Sequence, residues 1–114
     1  MPEYMIFYSR FPAACEGNIN GIASLFPDGK YIIMIDNTKD EETQAHALKH
    51  ELAHLYLKHL ERDEGETEQI EAEADEYAAR MTPEELEYLL TFCTGMKTIP
   101  EAKIAAFDRE YKPA

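Results

Sequence analysis

His50-Glu51-Leu52-Ala53-His54 sits inside a long helical stretch and organises the reading of the whole chain. Residues four apart on a helix lie about 40° apart around the axis and one turn along it. His50 and His54 can therefore turn both imidazoles toward one metal ion. Glu51 points into the neighbouring sector, where it can take a proton from a water beside that ion. This is the zinc-hydrolase arrangement H-E-x-x-H, which implies Zn²⁺ as cofactor and peptide-bond hydrolysis as chemistry. On the same helix Leu48, Leu52 and Leu55 form an apolar stripe, with the histidines on the opposite side. Such a helix packs its stripe on a sheet and leaves the polar pair for a site between helices.

Upstream, residues 4–8 are rich in aromatic and apolar side chains and read as a strand, followed by a loop over residues 10–20. Residues 22–26 and 31–35 flank Pro27-Asp28-Gly29-Lys30, a turn cluster that makes them a hairpin. The unbroken run Ile32-Ile33-Met34-Ile35 is that of a strand covered on both faces. Thr38 with Glu41 fits a capping box opening the motif helix, expected over residues 39–60. Residues 61–66 form an acidic connector broken by Gly65, and a second helix is expected over 67–81. Thr82-Pro83-Glu84-Glu85 opens a third helix running to about residue 92, and Thr98-Ile99-Pro100-Glu101 a last short one ending near residue 107. The expectation is an α+β fold: a small, three-stranded, mostly antiparallel sheet packed on the motif helix, then further helices, in one domain over residues 1–114.

A catalytic zinc has three protein ligands and keeps its fourth position for water. A third histidine six residues beyond His54 would complete one known pattern, but position 60 is Leu. His59 lies about 140° round the helix from His54 and should point away as a partly exposed terminal histidine. His46 lies two turns, about 12 Å, from His54, beyond comfortable reach of a shared ion. That leaves carboxylates on the next helix, in Glu71-Ala72-Glu73-Ala74-Asp75. Glu71 and Asp75 are one turn apart, so one can bind metal while the other holds a ligand imidazole. Periodicity does not choose between Glu71 and Glu73, since both flank the apolar stripe.

H-E-L-A-H followed by E-A-E-A-D-E-Y-A-A resembles the ImmA/IrrE family of gluzincin-type metallopeptidases, whose pattern is H-E-x-x-H and then E-x-E-A-(D/N)-x-F-A. The resemblance covers roughly residues 20–82, including the short sheet before the motif helix. It implies a minimal zincin-like domain with His50, His54 and Glu71 as zinc ligands, Glu51 as general base, and Asp75 holding a ligand. Tyr77 stands where the family often has Phe. Some members carry a helix-turn-helix or a sensor domain, for which this chain has no room. The resemblance also implies a regulatory peptidase whose protein substrate is a specific partner such as a repressor, often encoded on phage or mobile elements.

The alternative to an endopeptidase is a zinc-binding interaction module without hydrolysis, which would not need Glu51. The net charge of −12 argues against a nucleic-acid partner, since no basic stripe is present to neutralise phosphates. No apolar run approaches the ~18 residues of a membrane span, so no membrane partner is expected. No secretory leader is apparent, and Cys15 and Cys93 read as free thiols, which points to the cytoplasm. Tyr56, Tyr77, Tyr88 and Tyr111 could stabilise an oxyanion, but each reads first as packing.

Overall fold

Residues 31–36 are almost wholly apolar and take the central part of a sheet, with their neighbours chosen by distant segments. A computed structural model describes residues 1–12, 19–62 and 67–110. The readings of Cys15, Gly65 and Tyr111 lie outside the described residues. The strands are β1 (Tyr4–Ser9), β2 (Gly21–Leu25), β3 (Tyr31–Asp36) and β4 (Cys93–Thr98). The hairpin β2–β3 forms as expected, Ala23 facing Ile33 across an antiparallel ladder. Its turn closes through Phe26 N–H to the Lys30 carbonyl and Gly29 N–H to the Phe26 carbonyl, both 2.9 Å. Gly29 takes φ +86°, which a side-chain-bearing residue adopts only with strain.

The expected three-stranded, mostly antiparallel sheet is corrected to a four-stranded mixed sheet of order β2-β3-β1-β4. β1 lies inside it, parallel to β3 (Ile6 beside Ile33) and parallel to β4 (Ile6 beside Met96). The fourth strand escaped the sequence reading because Cys93-Thr94-Gly95-Met96-Lys97-Thr98 is a largely exposed edge strand, without apolar alternation. Its pairing with β1 is made across three intervening helices, and parallel pairs require such long connections.

Register puts Tyr4, Ile6, Ile33 and Ile35 on one face, where all four are buried. The helix α1 (Glu41–Tyr56) lays Ala47, Leu52 and Leu55 against that face. Leu48 packs at its margin, as the stripe predicted. The opposite face of β3 is less covered than the apolar run implied, since Ile32 and Met34 are only half-buried. Each fully buried Ile or Leu contributes about 1.5–3 kcal/mol of transfer free energy.

The first helix starts two residues later than the capping box predicted. Asp36 accepts from both the N–H and the hydroxyl of Thr38, so Thr38 is taken up by the turn after β3. Asp40 is the N-cap instead, its Oδ1 accepting from Thr43 N–H at 2.7 Å. The helix also ends earlier than residue 60: Leu57 caps it, Lys58 adopts the left-handed φ of 60°, and His59–Glu61 form a separate 3-10 turn. Then come α2 (Thr67–Arg80), α3 (Pro83–Leu90) and α4 (Glu101–Glu110). Thr82 caps α3 as expected, accepting from Glu85 N–H at 3.1 Å. α3 is docked by the Tyr4 hydroxyl, which donates to the Leu89 carbonyl at 2.8 Å. Arg10 ties α4 to the end of β1 through Glu101 and Asp108. No helix among the described residues is long and apolar enough to cross a membrane.

Candidate active site

Helix periodicity brings His50 and His54 together on α1, and α2 packs alongside to supply carboxylates. The two rings meet edge to face, centroids 4.7 Å apart, with their Nε2 atoms 3.1 Å from each other. Glu71 on α2 places Oε2 2.9 Å from His50 Nε2 and Oε1 3.2 Å from His54 Nε2. Asp75, one turn further along α2, lies with Oδ1 2.8 Å from His50 Nδ1. A carboxylate only accepts, so Nδ1 of His50 carries the hydrogen and donates it to Asp75. In a neutral ring, Nε2 then bears a lone pair.

That lone pair faces the Glu71 carboxylate, acceptor against acceptor, and either a proton or a metal cation must lie between them. Two imidazole nitrogens and a carboxylate are a fitting donor set for Zn²⁺. Burial pushes the His54 imidazolium below its usual pKa range, despite the opposing pull of Glu71. His54 is therefore favoured as the neutral ring that metal ligation requires.

Glu51 is 5% exposed, and its Oε2 has no hydrogen-bond partner among the described residues. An unpaired buried carboxylate is costly, and burial raises its pKa to about 7, opposed by His50 and reinforced by Glu71. Ligand atoms of His50, Glu51 and His54 lie within 4.8 Å of one another. Distance alone would thus admit Glu51 as a third ligand. Glu71, however, bridges both Nε2 atoms with its two oxygens, whereas Glu51 Oε2 makes no hydrogen bond to either ring. Above Glu51 lies edge strand β2. A Cβ built on Gly21 would stand 3.1 Å from Glu51 Cγ and 3.3 Å from the Met34 carbonyl, so the absence of a side chain is what permits this approach.

These groups open onto a cleft of about 650 Å³ between β2, α1 and α2, lined by Asn20, Gly21 and Ile22 on one side and Ile70 and Glu71 on the other. His46 is exposed on its wall. Of the tyrosines considered, Tyr56 stacks on Tyr77, and Tyr88 meets Phe92 edge-on. None of the three lines the cleft.

Geometry separates the two carboxylates that periodicity left open, and one sequence expectation changes. Glu73 does not face the imidazole pair; its Oε1 lies 3.0 Å from His59 Nε2 and 3.1 Å from Arg62 Nη1. His59 is not a partly exposed terminal residue. Its side chain is 1% exposed and its Nδ1 is 3.0 Å from His54 Nδ1. The 140° rotation assumed a continuous helix, and the left-handed turn at Lys58 reverses the chain before His59. Glycine is the usual marker of such a turn, and here the sequence has lysine.

A family model described as Peptidase_M78, IrrE N-terminal-like domain, matches residues 8–108. No curated protein and no solved structure matches the chain.

Proposed function

Because this chain belongs to the peptidase family with the IrrE N-terminal-like domain, we propose that it is a zinc-dependent endopeptidase of gluzincin type. We take its substrate to be a specific protein partner, a regulator such as a repressor. One observation carries the reading: Nε2 of His50, Nε2 of His54 and the Glu71 carboxylate converge within 3.2 Å beside a buried, unpartnered oxygen of Glu51.

His50, His54 and Glu71 would hold the metal, with Asp75 fixing the His50 ring. When bound, Zn²⁺ supplies Lewis acidity toward the scissile carbonyl and makes water a stronger acid. Glu51 does the proton work. As a carboxylate it accepts a proton from the water whose oxygen bonds to the carbonyl carbon. It then delivers that proton to the amide nitrogen as the C–N bond breaks, leaving a carboxylate and an amine. Burial alone raises its pKa, and a bound Zn²⁺ would oppose that rise, which suits Glu51 to begin as the carboxylate that accepts the proton. A binding module without hydrolysis would have no use for an unpaired carboxylate buried beside two imidazoles.

Protein purified without chelator should carry about one zinc per chain, as a three-ligand site implies. Co-expression with a candidate regulator, should one be encoded beside its gene, should yield metal-dependent cleavage of that regulator by wild type. Glu51→Gln should retain zinc but cleave about 10²-fold or more slowly. Equal cleavage by Glu51→Gln, or full zinc in a His50→Ala/His54→Ala double variant, would end the proposal.

A further inference from the structure

His59 takes no part in the chemistry above, yet it is the most deeply buried of the site's three histidine side chains. Its place is built at some cost. Lys58 adopts a left-handed backbone, disfavoured for any residue with a Cβ, and so turns His59 back beneath His54. The turn is fastened to the sheet by the Tyr31 hydroxyl, which donates to the Glu61 carboxylate.

The hydrogen bonds around His59 run in one direction. Glu73 can only accept, so Nε2 of His59 carries a hydrogen and donates it to Glu73 Oε1 over 3.0 Å. In a neutral ring Nδ1 is then an acceptor, and the atom 3.0 Å from it is Nδ1 of His54. His54 must therefore donate from Nδ1, which leaves its lone pair on Nε2, the atom facing His50 and Glu71. Glu73 is itself held by Arg62 Nη1 and by Gln69 Nε2, each 3.1 Å from one of its oxygens.

We propose that His59 is a positioning residue for zinc, through which Glu73 sets the tautomer and ring angle of His54. Each ligand imidazole is then keyed by a carboxylate of α2: His50 by Asp75 directly, His54 by Glu73 through His59. Without this link a neutral His54 can carry its hydrogen on Nε2 and present a donor where the metal needs a lone pair. The assignment rests on the metal-site reading above, and adds to it a residue that touches neither metal nor substrate.

The test is zinc affinity of chelator-stripped protein, measured by competition with a chromophoric chelator, alongside thermal unfolding with and without zinc. His59→Leu should bind zinc about 10–100-fold more weakly than wild type, the range typical of losing an imidazole's outer partner. His59→Asn keeps an acceptor oxygen near the Nδ1 position and should recover much of that loss. Glu73→Gln, on the more exposed end of the chain, should weaken zinc by less than His59→Leu. Nitrogen-15 spectra of the zinc-free wild type should show His54 already protonated at Nδ1.

A packing role alone would lower both unfolding temperatures equally and leave zinc affinity unchanged, and that result overturns the proposal. So does a His54 protonated at Nε2 in wild type, or His59→Asn as weak as His59→Leu. Should His59→Leu fail to fold, Glu73→Ala, which removes the acceptor altogether, overturns it as well if it keeps wild-type affinity and an unaltered His54 spectrum. Wild type that binds no zinc would instead overturn the metal site itself.

Discussion

At the scale of single residues, three carboxylates within five positions do three different jobs. Glu71 meets both Nε2 atoms, Asp75 meets only the far nitrogen of His50, and Glu73 reaches the site only through His59. Zinc affinity should fall in that order. Glu71→Ala removes the carboxylate proposed as a direct ligand and should weaken zinc most. Asp75→Ala removes an orienting hydrogen bond and should cost about 10–100-fold. Glu73→Ala should cost less than either, since His59 remains in place to accept from His54. Titrations of the three variants decide the matter; the largest loss in Glu73→Ala would overturn the assignment. Glu71 and Glu73 looked alike in the sequence because both border the same apolar stripe. Only the rotation of α2 against α1 separates them.

At the scale of elements, the two ends of α1 control the site it carries. Thr43 N–H holds the Asp40 carboxylate below its ordinary pKa of 3.8, the backbone bond being the main cause. A depressed folded-state value means the cap stabilises above the unfolded pKa and is lost as pH falls through the folded one. Acidification below about pH 4 should therefore lower the unfolding midpoint of wild type more than that of Asp40→Asn, whose cap does not titrate. Equal acid sensitivity would show that the cap carries no pH dependence.

At the C-terminal end, Lys58 bears the strain of the left-handed turn. Lys58→Gly should hold stability or raise it by up to about 1 kcal/mol, since glycine adopts this conformation freely. Lys58→Val should lose at least about 1 kcal/mol and weaken zinc, because the turn also delivers His59. Urea unfolding of both variants measures this. Indistinguishable midpoints would mean that the turn is not what ends the helix.

At the scale of the whole molecule, the site depends on a sheet assembled from distant pieces. β1 receives β3 on one side and β4 on the other, and α1 lies across them through Leu52 and Leu55. Leu52 is fully buried, on the sheet side of the motif helix. Leu52→Ala should cost about 2–5 kcal/mol by urea unfolding, the usual penalty for a core leucine cavity. That cost should be similar with and without zinc, because the cavity opens away from the imidazoles. A loss below about 1 kcal/mol would mean that the helix is held to the sheet by other contacts.

The sequence alone determined what depends on spacing along one element. A helical turn brings His50 to His54, whatever else the chain does. Asp28-Gly29 turns the hairpin, Thr82-Pro83 starts α3, and the leucine stripe commits α1 to a sheet. What the sequence left open depended on segments far apart in the chain. The β4–β1 pairing has no local signature, because a parallel edge strand is selected by the partner it completes rather than by its own pattern. The choice of Glu71 over Glu73 depends on how α2 lies against α1. The closeness of Gly21 to Glu51 is a contact between a strand and a helix. His59 was misplaced for a sharper reason: one backbone torsion at Lys58, in a conformation its residue type does not advertise, turned the ring from solvent into the site. Local periodicity fixes directions only while the helix continues, and the end of this helix was decided by burial and hydrogen bonding in the folded molecule.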